Sequence, residues 1–429
     1  MLRARKLILL GSLAIMALFT TLHAQGVQSP LQSGQWVKFS VEADGVYKID
    51  YNLLRSAGIN PDNINPRNLR LFGNGNGMLP QANNAPRTNQ LQEIAIRVVG
   101  EADGNFNTGD YILFFGQNPD LHFYDVDKNI FHYQNNLFTD RNYYFLTVST
   151  QAGKRIEDNE NLQGTFAVIN TYNDFIFHEQ EKYNELKSGR SWFGEQFDLT
   201  TSLSLSFNVE GVVGNSNIKI VSAVMGQNFN PASFTLSLNN VPVLTQPITP
   251  ISNTQYGIKG RQVRDTITVN ASSVNAATSN SQTFTYQYTK AASGKSIGFL
   301  DFLLASFEKN LSLNKNQIQF RAASSLVNST TTFDINSFAN DASIWEVTDP
   351  FNCKNQPVQI SQNRASFSVN TTNLKTFIAF RNEGFLIPGF VKSVANQNLL
   401  NAANVDLLIV THPDFKTQAI RLANHRQLH

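Results

Sequence analysis

The residues of this chain that could do chemistry are few and far apart. Its single thiol, Cys353, lies in the loop "DPFNCKNQ". A cysteine nucleophile needs a histidine to take its proton, and no histidine lies in the same segment. Cys353 is therefore read as inert. One cysteine makes no internal disulfide, so stability is expected to rest on packed cores. His122, His132 and His178 are scattered, and His412, His425 and His429 form a late group. His425 and His429, one helical turn apart, share a face and are read as solvent-facing residues rather than metal ligands. No Cys-x-x-Cys pair is present, and no serine nucleophile elbow is expected. The spacing therefore assembles no catalytic, metal or cofactor-binding set.

Two loops imitate ligand sites. "GNGNG" at 73–77 suggests a phosphate loop. It lacks the Lys-Ser/Thr that such a loop needs, and Met78-Leu79-Pro80 cannot open a helix. A turn rich in glycine and asparagine, tolerant of left-handed backbone, is the better reading. In "DGNFNTGD" Asp103, Asn105 and Asn107 alternate as in a calcium loop. The glycine is misplaced, however, and Phe114 stands where a bidentate Glu is required. "DVDKN" at 125–129 has the same defect. Turns closed by Asx side chains are expected in both, with calcium the one cofactor the spacing could serve.

The elements around these loops read as β. Val37, Phe39 and Val41 alternate with polar neighbours, and 46–49 returns after "ADG" as a hairpin partner. A short helix follows: Asp50 caps it, Leu53, Leu54 and Ala57 give its apolar face, and Gly58 ends it. Further strands are expected at 69–72, 94–99, 111–115 and 143–148. From 164 to 395 the pattern is β throughout. "SLSLSFNVE" puts Leu203, Leu205, Phe207 and Val209 on a dry face and serines on a wet one. Similar runs recur at 218–224, 234–238, 266–269, 284–288, 318–321, 367–369 and 377–380. "GFLDFLLASFEKNL" reads as a strand more fully buried in its middle. A two-sheet sandwich is expected. After Pro388, 391–405 reads as a linker or short helical approach. Residues 407–410 then form a continuous apolar strand. Thr411 is the expected cap of a helix, with Asp414 as its capping-box partner and Phe415, Ala419 and Leu422 at helical spacing.

The expected class is thus mainly β. A signal peptide at 1–24 precedes a small β-rich domain at 25–163. A β-sandwich at 164–395 follows, and 396–429 opens an α/β domain cut short, as in a fragment of a longer protein. Arg3, Arg5 and Lys6 before an apolar stretch, with Ala24 before Gln25, carry the signal-peptide reading. No Cys follows, so the segment is not read as a lipoprotein signal. Charged residues are only 15% of the chain and the net charge is +2, which suits an exported β protein and gives no field for nucleic acid.

Several stretches in order carry a resemblance: "WVKFSVEADGVYKIDYNLLRSAGI", "NPRNLRLFGNGNGMLPQ", "DGNFNTGDYILFFGQNPD", "FTDRNYYFLT", "SGRSWFGEQF" and "IWEVTDP". The series resembles the N-terminal part of the type IX secretion system sortases of Bacteroidetes. "VDLLIVTHPDF" and "AIRLANHR" are similar to the start of their gingipain-type cysteine peptidase domain. The resemblance implies a cell-surface peptidase that removes C-terminal sorting domains from cargo and joins the cargo to lipopolysaccharide. It also implies three partners: a tethering outer-membrane β-barrel, sorting-domain cargo and the lipopolysaccharide acceptor. The family's catalytic Cys and His motifs match no residue here, so neither Cys353 nor His412 takes their roles. A secreted noncatalytic β-sandwich that binds glycan or a surface partner is the alternative.

Overall fold

A computed structural model describes residues 29–402 and 405–428. The expected signal peptide and His429 lie outside the described residues. The chain is mainly β, as its alternating patterns require.

Strands Trp36–Val41 and Gly45–Asp50 are close in sequence but do not pair, which corrects the expected hairpin. The first joins Asn142–Val148 on one side and Gly389–Val394 on the other. The second joins Tyr111–Gly116. The chain turns a corner from one sheet into the facing one. Val37, Phe39 and Val41 thereby meet Tyr47 and Ile49 across one core, which a flat hairpin could not achieve. The stretch 94–99 makes the same crossing. In place of one strand there are two, Gln92–Ile94 in the five-stranded sheet of Trp36–Val41 and Arg97–Val99 in the three-stranded sheet of Gly45–Asp50. The helix Tyr51–Ser56 closes this core as its sequence suggests. Asp50 accepts from the Leu53 N–H at 2.9 Å, Leu54 and Ala57 are buried, and Gly58 takes φ +86°.

The 164–395 region, expected as a two-sheet sandwich, contains four sheets packed as two sandwiches. In the first, Thr171–Glu179, Ser296–Asn310, Asn217–Asn228 and Arg261–Asn270 face a sheet of Ser202–Asn208, Ser281–Thr289, Ala232–Leu238 and Val241–Ile248. The alternation in "SLSLSF" is realised. Leu203, Leu205 and Phe207 pack on the core, while Ser204 and Ser206 meet Thr285 and Thr283 hydroxyls at 2.9 Å on the wet face. The second sandwich packs Phe320 and Phe377 of one sheet against Phe333 and Phe367 of the other.

These units are fused rather than strung on linkers. Tyr111–Gly116 is buried on both faces. Ile112 and Phe114 enter the N-terminal core, while Leu113 and Phe115 pack with Trp345, Ile378 and Phe380 of the second sandwich. The continuous apolar run "YILFF" records that double burial. Gln317 adds a polar clasp: its Oε1 accepts from the Val46 N–H at 2.7 Å, and its Nε2 donates to the Val46 and Gly384 carbonyls at 3.0 and 2.7 Å.

Two late expectations change. Residues read as a linker after Pro388 begin as strand Gly389–Val394, which extends the N-terminal sheet through pairing with Trp36–Val41. Residues 407–410 belong to no ladder, and Leu407, Leu408 and Val410 are exposed. The helix is present as Lys416–Leu428, led by a 3-10 turn at Pro413–Phe415. Its cap is His412, whose Nδ1 accepts from the Asp414 N–H at 3.3 Å, not Thr411. Pro413 at the first helical position sets that register. The helix buries none of its residues.

Candidate functional site

A cavity lies where a hairpin of the N-terminal region covers the outer face of the first sandwich. The hairpin pairs Leu121–Asp125 with Ile130–Gln134 through a turn in which Asn129 takes φ +52°. Asp125, expected in an Asx-type turn, accepts from the Lys128 N–H at 3.0 Å and pairs with Lys128 Nζ at 2.9 Å and His132 Nε2 at 3.2 Å. The Lys128 hydrogen bonds pull its carboxyl down to about 2. Under the hairpin, Tyr124, Ile130 and Phe131 pack on Val221 and Leu304. A sandwich face turned to water would ordinarily be polar. Here Phe175, Phe177, Phe302 and Leu304 point outward because the hairpin shields them.

The hairpin is anchored by a largely shielded His122–Asp44 contact that sequence reasoning missed. His122 Nε2 lies 3.2 Å from Asp44 Oδ2, and the imidazole stacks on Tyr133. Asp44 Oδ1 accepts from the Asn118 N–H at 2.7 Å. Arg321 of the second sandwich lies over the Phe131 ring, buried, with its basicity lowered by that burial.

Beside this anchor opens a cleft of about 720 Å³. One wall is aromatic: Tyr133 and Phe177 stack with centroids 4.2 Å apart, and Phe302 lies 5.9 Å from Phe177. Glu179 follows Phe177 on the same strand face and accepts from Asn135 Nδ2 at 2.7 Å. Asp301 reaches this side through a β-bulge. Ala223 pairs with Phe302 and Val224 with Leu300, so Asp301 is the extra residue. Leu300 and Leu303 both enter the inner core, which leaves Asp301 beside Phe302 on the outer side. Burial, then Glu181, Asp301 and Asp120, push the Glu179 carboxyl up to about 7. Burial and Glu181, opposed by Arg264, push Asp301 up to about 6. The site binds protons unusually tightly for carboxylates.

Of the residues and loops singled out from sequence, His132, Asp127 and Lys128 of the 125–129 loop, and Met78 line the cleft; the others lie elsewhere. Cys353 is buried beside Trp345 and Phe380, and that burial raises its thiol pKa far out of the nucleophilic range. His178 pairs with Glu195 at 3.1 Å, and His412 caps a helix. In 73–77, Gly75 and Gly77 take positive φ, and the Gly77 N–H donates to Pro119, a packed turn. In 103–110 the Asx side chains serve the loop itself: Asp103 accepts from the Asn105 N–H and Asp110 from the Asn107 N–H, at 2.9 and 2.6 Å. A G-x-S-x-G string does occur at 294–298, contrary to the expectation of none. Its Ser296 opens a strand, not a helix, and is tied to the Tyr288 hydroxyl and the Ala291 N–H. Among the described residues no group of His, Cys, Asp and Glu is arranged to hold a metal, and no helix is long and apolar enough to cross a membrane.

Fold and site together define a β-rich assembly of fused sandwiches with a partly buried acidic and aromatic cleft and an inert thiol. The solved structure of dimeric latent PorU from Porphyromonas gingivalis shares this fold. It superposes with a TM-score of 0.77 at 22% sequence identity, over 93% of this chain and 37% of that one. This chain thus spans little more than a third of that structure's length. The insecticidal delta-endotoxin Cry8Ea1 from Bacillus thuringiensis, at TM-score 0.21 and 10% identity over 67% of this chain and 55% of its own, carries no argument. No family model and no curated protein matches the chain.

Proposed function

We propose that this chain is the noncatalytic β portion of an exported gingipain-type cysteine peptidase, a type IX secretion sortase. The whole protein would remove C-terminal sorting domains and transfer cargo to lipopolysaccharide at the cell surface, tethered by an outer-membrane β-barrel. The observation that carries this reading is the PorU-like fold across 93% of the chain. The buried, proton-bound Cys353 supports it from the other side, because the family's chemistry needs a thiolate beside a histidine. Export would use the basic and apolar leader at 1–24. In this reading the fused sandwiches act as a rigid docking body, not as catalyst.

The test is competition in a type IX secreting bacterium. The chain, exported in excess, should occupy the tether of the resident sortase, and cargo should retain its sorting domain. Cargo processed at the normal rate while the chain accumulates at the surface would count against the reading.

A further inference from the structure

We propose that the cleft between hairpin 121–134 and the first sandwich, with the groove beside it, docks an extended polypeptide whose lysine or arginine seats between the aromatic wall and the carboxylates of Glu179 and Glu181. This stands whether or not the chain serves a sortase.

Shape is the first argument. The cleft runs on into an open groove of about 1050 Å³, and the two share Asn135, Leu137, Glu181 and Arg190. Phe138 and Trp192 stand exposed along the groove, 86% and 40% accessible. Paired apolar footholds in a line suit an extended chain.

Charge is the second. Among the described residues, no ion pair joins Glu179, Glu181 or Asp301 to a lysine or arginine. The other cations that line the cleft are held by other partners: Lys128 Nζ pairs with Asp125 at 2.9 Å, Lys219 Nζ donates to the Lys128 carbonyl and Arg190 to Gln81 Oε1. Arg264 lies against the Phe302 ring, 5.1 Å from its centroid, and reaches Asp301 only through space. Acidic groups half-removed from water without a counter-charge weaken the fold. A bulge that brings a further carboxylate to this face deepens that cost. A bound cation relieves it. Its alkyl stem would lie on the Tyr133–Phe177 stack, and its charge would meet both the ring faces and the carboxylates. A neutral sugar would use the rings but leave the acidic repulsion in place.

The experiment uses the chain as it stands and a fluorescent short peptide alternating leucine and lysine, read by anisotropy at low salt. A peptide with glutamine for lysine is the control. The lysine peptide should bind about tenfold or more tightly than the control, a difference of roughly 1.4 kcal/mol or more. The double variant Glu179→Gln, Glu181→Gln should lose that preference while keeping its far-UV spectrum. Glu383→Gln, an exposed acid on the second sandwich, should retain it, and Arg264→Gln should strengthen it. Equal binding of the two peptides, a preference that survives the double variant, or displacement by maltohexaose would overturn the proposal.

Discussion

Removing the Glu179 carboxylate of the cleft and the Asp301 carboxylate at the bulge beside it should make the protein more stable, and only above a certain pH. Glu179 and Asp301 are raised to about 7 and about 6 in the folded chain, above the ordinary carboxylate range, chiefly by burial and then by neighbouring acids. The native state thus holds these protons more tightly than the unfolded state. As pH rises from roughly 4 through 7, the unfolded chain gives them up first, and the native state loses relative stability. A tenfold difference in proton affinity between the two states corresponds to about 1.4 kcal/mol. The two sites are coupled and partly open to water, so full conversion overstates the effect. Together they should cost the fold about 1–3 kcal/mol at about pH 8. The variant Glu179→Gln, Asp301→Asn keeps the side-chain shapes and removes the charges. Urea denaturation of both proteins, followed across pH, should show the variant more stable by that amount at about pH 8. The advantage should shrink as pH falls through about 4 and vanish near about pH 3, where both wild-type groups are largely protonated in either state. A variant that is equally or less stable at about pH 8, or an advantage independent of pH, would mean that these carboxylates do not strain the fold.

Other consequences follow from named contacts. Gln317→Ala removes two hydrogen bonds that tie the second sandwich to Val46 and a third to the Gly384 carbonyl. It should cost about 1–3 kcal/mol in urea denaturation because buried backbone groups lose partners. Phe131→Ala empties the space between hairpin and sandwich face and should cost about 3–5 kcal/mol, with hairpin amides exchanging faster by hydrogen exchange. Cys353 should resist iodoacetamide in the native protein and react on unfolding, since burial holds its thiol protonated. Residues 407–410, which join no described ladder, should exchange their amides rapidly.

Much of the fold was legible because alternation and burial leave period-two marks. "SLSLSF" showed a wet and a dry face, and Asp50 with Gly58 bracketed a helix that forms as expected. The corner at 42–44 was not legible. A short turn between two strands looks like a hairpin, and only the facing core decides which sheet each strand enters. Gly389–Val394 was missed because its edge position leaves it exposed, without an apolar face to mark it. The inert Cys353 could be foreseen from its isolation. The cleft could not, because Glu179 and Asp301 are far apart in sequence and meet only through register. One signal was present: Asp301 interrupts the apolar run "GFLDFLLA". A carboxylate inside a buried strand marks either a partner or a bulge, and here it marks a bulge.

If this chain is the noncatalytic part of a sortase, it should have no peptidase activity by itself. The decisive assay incubates the purified chain with a fluorogenic peptide spanning a type IX sorting-domain junction. No cleavage above buffer is expected, with Cys353→Ala indistinguishable from wild type. Cleavage that the wild-type chain performs and Cys353→Ala abolishes would contradict the noncatalytic role.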